Sequence, residues 1–250
     1  MIKLKTPKEI SQMEEGGKRL REVVQNLMPL IIPGITTKEI DIKAGELIKK
    51  HGGEASFKKV DGYFWNTCLP INEQIVHTPP SKRVLKSEDI ITLDIGFYYQ
   101  GFHTDYADTI IVGKTENNQK KVFLEVGKRT LKKAIAKAQK GRRLGEVSLE
   151  IQKGIEGAGY CVIKNLTGHG IGHDLHEDPF IPGFLDDDLD KTPIIKSGLV
   201  IAIEVIYSKS SEVFSYEKDD QWSIITKDRS LSACFEHTIA VTDKNTLILT

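Results

Sequence analysis

The sequence predicts an α+β protein, a largely antiparallel sheet with two pairs of helices on one face. Three observations predict it. Apolar stripes at helical spacing come in two pairs, each pair is followed by β-like apolar runs, and this order occurs twice along the chain. The repeat divides residues 1–250 into halves of about 1–115 and 116–250 within one domain. It rests on element order, since identity between the halves is slight.

Thr6, Pro7 and Glu9 open the first helix as a capping box with proline at its first position. Ile10, Met13, Leu20, Val24 and Leu27 give its stripe. After the Pro33-Gly34 turn, a second box, Thr36 to Glu39, starts a helix striped by Ile40, Ala44, Leu47 and Ile48, and Gly52-Gly53 stops it. Strands are expected around 68–76, 90–96 and 101–112. In the second half, Leu124, Leu131, Ile135 and Ala138 mark a third helix ending at Gly141. Val147, Ile151 and Ile155 mark a fourth, ending at Gly157 and Gly159. Strands follow around 160–166, 199–207 and 233–241.

Composition narrows the class. With Lys+Arg 35 against Asp+Glu 35, the net charge is zero, which argues against nucleic acid or an anionic membrane as partner of the whole chain. Cys68, Cys161 and Cys234 form no CxxC and are too few for a disulfide framework, which points to a reducing, cytoplasmic compartment. No run has the length of a membrane span or a signal-peptide core. A monomer is the default assembly.

Two apolar runs are interrupted by acids: IITLDIGF (90–97) by Asp94, and GLVIAIEVIY (198–207) by Glu204. Both runs read as central strands buried on two faces, where an unpaired carboxylate costs several kcal/mol or more. The next strand of each half carries another acid, Asp105 in GFHTDYADT and Glu236 in SACFEHTIAV. Asp94 and Asp105 are spaced as a hairpin turning at YYQG (98–101) would place them. Histidines precede these strands: His77 after INEQIV, and His169 and His176 in the glycine-rich TGHGIGHDLHEDP. Four converging acids repel, and divalent metal relieves this, since bridging carboxylates hold two ions about 3.5–4 Å apart. Oxygen-rich ligation with one imidazole and no thiolate favours Mn, Fe or Co over a structural zinc.

One such acid alone is more often a strand end; the parallel across both halves sets this constellation apart. His103, His173 and His237 have no counterpart in the other half and read as supporting or surface histidines. His51 reads as a cation at a helix C-terminus. KRTLKKAIAKAQKGRR (128–143) interleaves lysine with an apolar stripe and reads as a solvated helix face, with a transient ribosome contact left open. DDDLD (186–190) reads as solvated surface.

INEQIVH, LDIGFYYQGFHTD, TGHGIGHDLHEDP, AIEV and TKDRSLSACFEHTIAVT resemble segments of type I methionine aminopeptidases in their short bacterial form, over nearly the whole chain. The resemblance implies the pita-bread fold, two pseudo-symmetric halves around a dinuclear site. It also implies that Asp94, Asp105, His169, Glu204 and Glu236 ligate two divalent ions (Co, Mn, Fe or Zn), with Asp105 and Glu236 bridging. His176 would bond the scissile carbonyl, His77 would lie near the amide nitrogen beyond it, and Glu204 would move the water's proton. Tyr63, Cys68 and Trp222 match the methionine pocket. The implied activity is removal of N-terminal methionine from nascent proteins when the next residue is small, by a metal-activated water. The sequence departs from the family at Val76-His77-Thr78, Leu175 and Glu204-Val205, and Phe57 and Val60 stand for an upstream pocket pair. These departures touch the pocket, not the ligand set. The alternatives are a related aminopeptidase with another N-terminal preference, a prolyl-type peptidase, and a metal-free binding protein on the same scaffold. Prolyl enzymes usually carry an extra N-terminal domain, and the binders typically lose ligands.

Overall fold

Helix starts follow the local chemistry. In the computed structural model, which describes residues 1–218 and 220–250, both expected capping boxes form. Glu9 N–H donates to Thr6 Oγ1 (3.3 Å) and Thr6 N–H to the Glu9 carboxylate (2.7 Å). Thr36 and Glu39 exchange the same pair of bonds at 3.2 and 2.8 Å. These satisfy N–H groups that a helix start leaves without partners. They open α1 (Pro7–Leu27) and α2 (Thr37–Lys50). The chain continues through β1 (Glu54–Ala55), β2 (Thr67–Cys68), β3 (Gln74–Val76), β4 (Ile90–Tyr99) and β5 (Phe102–Ile111). Then come α3 (Asn118–Lys137), started by the Asn117 side chain, and α4 (Gly145–Glu156). The remaining strands are β6 (Cys161–Val162), β7 (Thr167–Gly170), β8 (Glu177–Pro182), β9 (Val200–Ser208), β10 (Phe214–Tyr216), β11 (Ile224–Thr226), β12 (Ser232–Val241) and β13 (Thr246–Ile248).

The main sheet is antiparallel with spatial order β1-β4-β5-β12-β9-β7-β8, and β2, β6 and β13 pair with β4, β9 and β12. β4 and β5 form a hairpin closed by two residues, Gln100 (φ 49°) and Gly101 (φ 89°), the positive-φ pair that such a turn requires. Because side chains alternate, β4 buries Ile91, Leu93, Ile95 and Phe97 against Leu20, Val24, Ile40, Ala44 and Ile48 of α1 and α2. β9 and β12 bury Ile203, Val205, Tyr207 and Phe235 against Phe123, Leu131, Val147 and Ile151 of α3 and α4. The registers carry one face continuously across the sheet, so both helix pairs cover the same side. Asp94, Asp105, Glu204 and Glu236 lie on the opposite side.

Two expected strands are shorter than the sequence pattern suggests. The run 68–76 is divided: Cys68 pairs with β4, whereas Gln74–Val76 joins a separate three-stranded sheet, β10-β11-β3. Pro70 offers no donor to a ladder and Asn72 takes φ 58°, so the chain turns between them. Likewise 160–166 is extended only at Cys161–Val162.

Candidate metal centre and substrate pocket

Register, more than sequence spacing, assembles the site. Cys68 lies opposite Asp94, Asp94 opposite Ala107, Ala107 opposite Glu236, and Glu236 opposite Glu204. Five neighbouring strands thus present one transverse row on the helix-free face. Asp105, two residues before Ala107, stands in the adjacent row, as does His169, which faces Ala202, two residues before Glu204. Ala107 and Ala202 are the small members of these rows and leave room between the carboxylates.

Asp105, His169 and Glu236 are buried and bring ligand atoms within 4.8 Å of one another. His169 Nε2 lies 3.5 Å from Glu204 Oε1, and Asp94 lines the same cavity. Asp105 is fixed by its own backbone: its N–H donates to Thr238 Oγ1 (2.8 Å), and Thr238 Oγ1–H donates back to its carbonyl (2.9 Å). His169 Nδ1 bonds the Gly170 carbonyl at 2.8 Å, so Nδ1 carries the proton and Nε2 keeps its lone pair facing the acids.

The electrostatics suit bound cations. Burial holds all four carboxylic acids well above their ordinary range, and like charge adds to it: Glu204 acts on Asp94, Asp94 on Asp105, and Asp105 on both Glu204 and Glu236. Burial, reinforced by the nearby His176, lowers His169 to about 3. It is therefore a neutral imidazole, and its approach to Glu204 is not an ion pair. Glu236 Oε1 is fully buried without a hydrogen-bond partner. A buried acceptor left orphaned beside three other acids and a neutral imidazole fits divalent cations held by oxygen with one nitrogen.

The cavity over this floor has a volume of about 130 Å³, small beside the roughly 300–1,000 Å³ of sites for drug-sized ligands. Every residue assigned from the sequence to the metal, the chemistry or the methionine pocket lines it: the five donors together with His77, His176, Tyr63, Cys68 and Trp222, and also Phe57 and Val60. Tyr63 is boxed edge-on by Phe57, Trp65 and Trp222, with centroids at 6.2, 5.1 and 5.0 Å. Its hydroxyl donates to Thr67 O (2.9 Å) and lies 3.1 Å from Cys68 Sγ. His77 and His176 stand at the rim with one side open to water. Desolvation lowers both imidazoles, His77 to about 4 with His176 adding to it. His77 holds φ 59°, a left-handed conformation that is uncommon for a residue other than glycine and recurs at functional sites. Of the departures from the family pattern, Val76 and Leu175 line the cavity, whereas Val205 packs behind the sheet on the helix side.

The other histidines lie outside the cavity wall. His103 Nδ1 meets Ser56 Oγ (2.9 Å), His173 sits by Glu9 (3.7 Å), His237 by Thr250 (3.3 Å), and His51 Nδ1 by Glu22 (3.0 Å). One contributor is absent from the sequence reading. Asp41, on α2 and 7% exposed, accepts from the Asn66 and Thr67 N–H groups (2.8 and 2.9 Å) and from Thr67 Oγ1 (2.9 Å). It thereby ties down the turn between Tyr63 and Cys68. An acid beside an apolar helical stripe is the ordinary amphipathic pattern, so no local signal marks it.

Comparison with known proteins agrees with this chemistry. Residues 11–243 match metallopeptidase family M24. The chain is 41% identical over 252 residues to methionine aminopeptidase 1 of Bacillus subtilis, covering 100% of this chain and 99% of that one. It is 38% identical over 250 residues to methionine aminopeptidase of Clostridium perfringens, with 100% and 99% covered. The crystal structure of methionine aminopeptidase from Thermotoga maritima matches with a TM-score of 0.94 at 37% identity, over 100% of this chain and 99% of that one. Prolidase from Pyrococcus furiosus, with a TM-score of 0.79, 22% identity and 99% and 65% covered, shares the fold alone. The architecture is the pita-bread fold, and the chain belongs to metallopeptidase family M24 and, within it, to the methionine aminopeptidases.

Proposed function

We propose that this protein is a metal-dependent aminopeptidase that removes the N-terminal methionine of nascent chains when the next residue is small. The observation that carries the reading is the meeting of five oxygen and imidazole donors, one of them with an orphaned buried oxygen, and a narrow apolar pocket opening onto them. Asp94, Asp105, His169, Glu204 and Glu236 would hold two divalent ions, with Asp105 and Glu236 shared. When bound, such ions acidify a water to near neutral pH and polarise the scissile carbonyl.

The protein's own groups do the rest. Glu204 takes the water's proton and passes it to the leaving amine. His176 donates a hydrogen bond to the oxygen on which negative charge develops. His77 faces the amide nitrogen beyond the scissile bond. Tyr63, Cys68, Trp222, Phe57, Val60 and Leu175 enclose the thioether side chain, for which sulfur and aromatic contacts suit well. The halves 1–115 and 116–250 form one domain, and each supplies part of the ligand set.

The cytoplasm suits three free cysteines, and no helix among the described residues is long and apolar enough to cross a membrane. A monomer suffices, since one chain lines the whole cavity. The exposed Lys121, Lys128, Arg129, Lys132 and Lys133 of α3 offer the face for a transient ribosome contact.

Release of methionine from Met-Ala-Ser, measured against a prolyl dipeptide after loading with Mn, Fe, Co or Zn, tests the activity. Cleavage of the prolyl substrate alone would overturn the pocket assignment, and metal analysis giving fewer than two ions would overturn the dinuclear one.

A further inference from the structure

A buried ion pair outside the chemistry described above shapes the loop that carries His176. Lys5, in the extended segment before α1, directs its ammonium to Glu177 Oε2, and the two side chains are only 4% and 1% exposed. Glu177 Oε1 accepts the backbone N–H groups of His173 (2.9 Å) and Asp174 (3.3 Å). The carboxylate thus closes the loop between β7 and β8 from within. Lys5 is fixed in turn, its backbone N–H donating to Gly198 O (2.7 Å) and its ammonium also to Lys3 O (3.2 Å). Gly172 yields to the lysine: a Cβ there would stand 2.4 Å from Lys5 Cε and 2.8 Å from Glu177 Oε1. His103 N–H holds the Gly172 carbonyl at 2.8 Å. Glu177 directly follows His176 and pairs with Gly170 across β7 and β8.

We propose that Lys5 and Glu177 act as a positioning pair for His176, with the segment before α1 setting the aim of an imidazole carried by the loop between β7 and β8. The inference rests on the role given to His176 above. Without the Lys5 ammonium, the buried Glu177 keeps as counter-charge only the exposed Lys3, whose ammonium stands 4.0 Å from Oε1. Glu177 then leaves its place, and the loop's two N–H groups lose their anchor.

The test is Lys5→Met, which keeps the length of the stem and removes the charge. In the otherwise native enzyme kcat falls roughly 10- to 100-fold, as a displaced but present catalytic group implies. KM and bound-metal stoichiometry stay unchanged. In a His176→Ala background the same substitution leaves kcat where it was, because the group it positions is gone. Adding Glu177→Leu to Lys5→Met recovers thermal stability without recovering kcat, and this double variant carries the cycle if the single one fails to fold. An equal loss of kcat in both backgrounds, or loss of metal along with kcat, overturns the proposal, as does a fully active Lys5→Met enzyme. Native turnover by His176→Ala alone would instead overturn the role of His176.

Discussion

Replacing Asp41 by Asn keeps the shape of the side chain and removes its charge, so it isolates what the carboxylate does for the pocket wall. Asp41 Oδ1 accepts three hydrogen bonds, from Asn66 N–H, Thr67 N–H and Thr67 Oγ1–H, and Oδ2 accepts one from Asn66 Nδ2 at 3.0 Å. An asparagine oxygen can keep the first three as neutral bonds. Its amide nitrogen would then face the Asn66 amide, donor against donor. Hydrogen bonds to charged groups contribute about 1.5–3 kcal/mol each and neutral ones about 1 kcal/mol, so the change costs roughly 2–4 kcal/mol once partial relaxation is allowed. In a chain of 250 residues that lowers Tm by about 5–15 °C. The same turn sets Tyr63 and Cys68, so KM for a methionyl peptide should rise more than kcat falls. Calorimetry of the metal-loaded protein and steady-state kinetics read the two effects. A Tm within about 2 °C of native, or a lowered Tm with native KM, would refute the claim that Asp41 holds the pocket wall in place.

Three further outcomes are expected. Stripped of metal, the protein should lose stability as pH rises. Its four raised carboxyls retain protons that the unfolded chain has shed above about pH 4, at about 1.4 kcal/mol per pH unit per retained proton. Urea unfolding in chelator at about pH 7 and 8, above the range in which the histidines of the unfolded chain give up their protons, should show that slope, and added Mn should abolish it; a flat profile there contradicts the burial argument. Asp105→Ala should abolish turnover and lower the affinity for both ions in equilibrium dialysis, and near-native activity at saturating metal would exclude a bridging role. Gly127→Ala should destabilise by about 1–3 kcal/mol in denaturant titration despite alanine's better helix propensity. A Cβ there meets the Phe235 ring at 2.4 Å and Tyr207 at 2.7 Å. kcat/KM should not change, because this contact lies on the helix side of the sheet.

Legibility in the sequence followed the range of each interaction. Both capping boxes were readable because every partner lies within three residues. The four strands bearing the acids were readable because Asp94 and Glu204 interrupt runs otherwise apolar enough to be buried. The run 68–76 was misread because its apolar residues serve two different sheets, and apolar character alone does not reveal a change of partner. Lys5 and Glu177 were invisible for a related reason. Nothing near Lys5 marks it as buried, and its counter-charge stands 172 residues away. Asp41 looked like any solvent-facing acid of an amphipathic helix until the turn at Asn66 and Thr67 was found against it.

By itself, the chain dictated which side chains can bind a cation and which segments are too apolar to stay in water. It did not dictate which of those side chains meet. That was decided when β5 paired with β12 and β12 with β9, since a shift of one residue in either register would turn Glu236 or its neighbours towards the helices. The physical reason is alternation. A strand offers its donors to one face or the other, and only burial of Phe235, Ile203 and Val205 beneath α3 and α4 fixes which face that is.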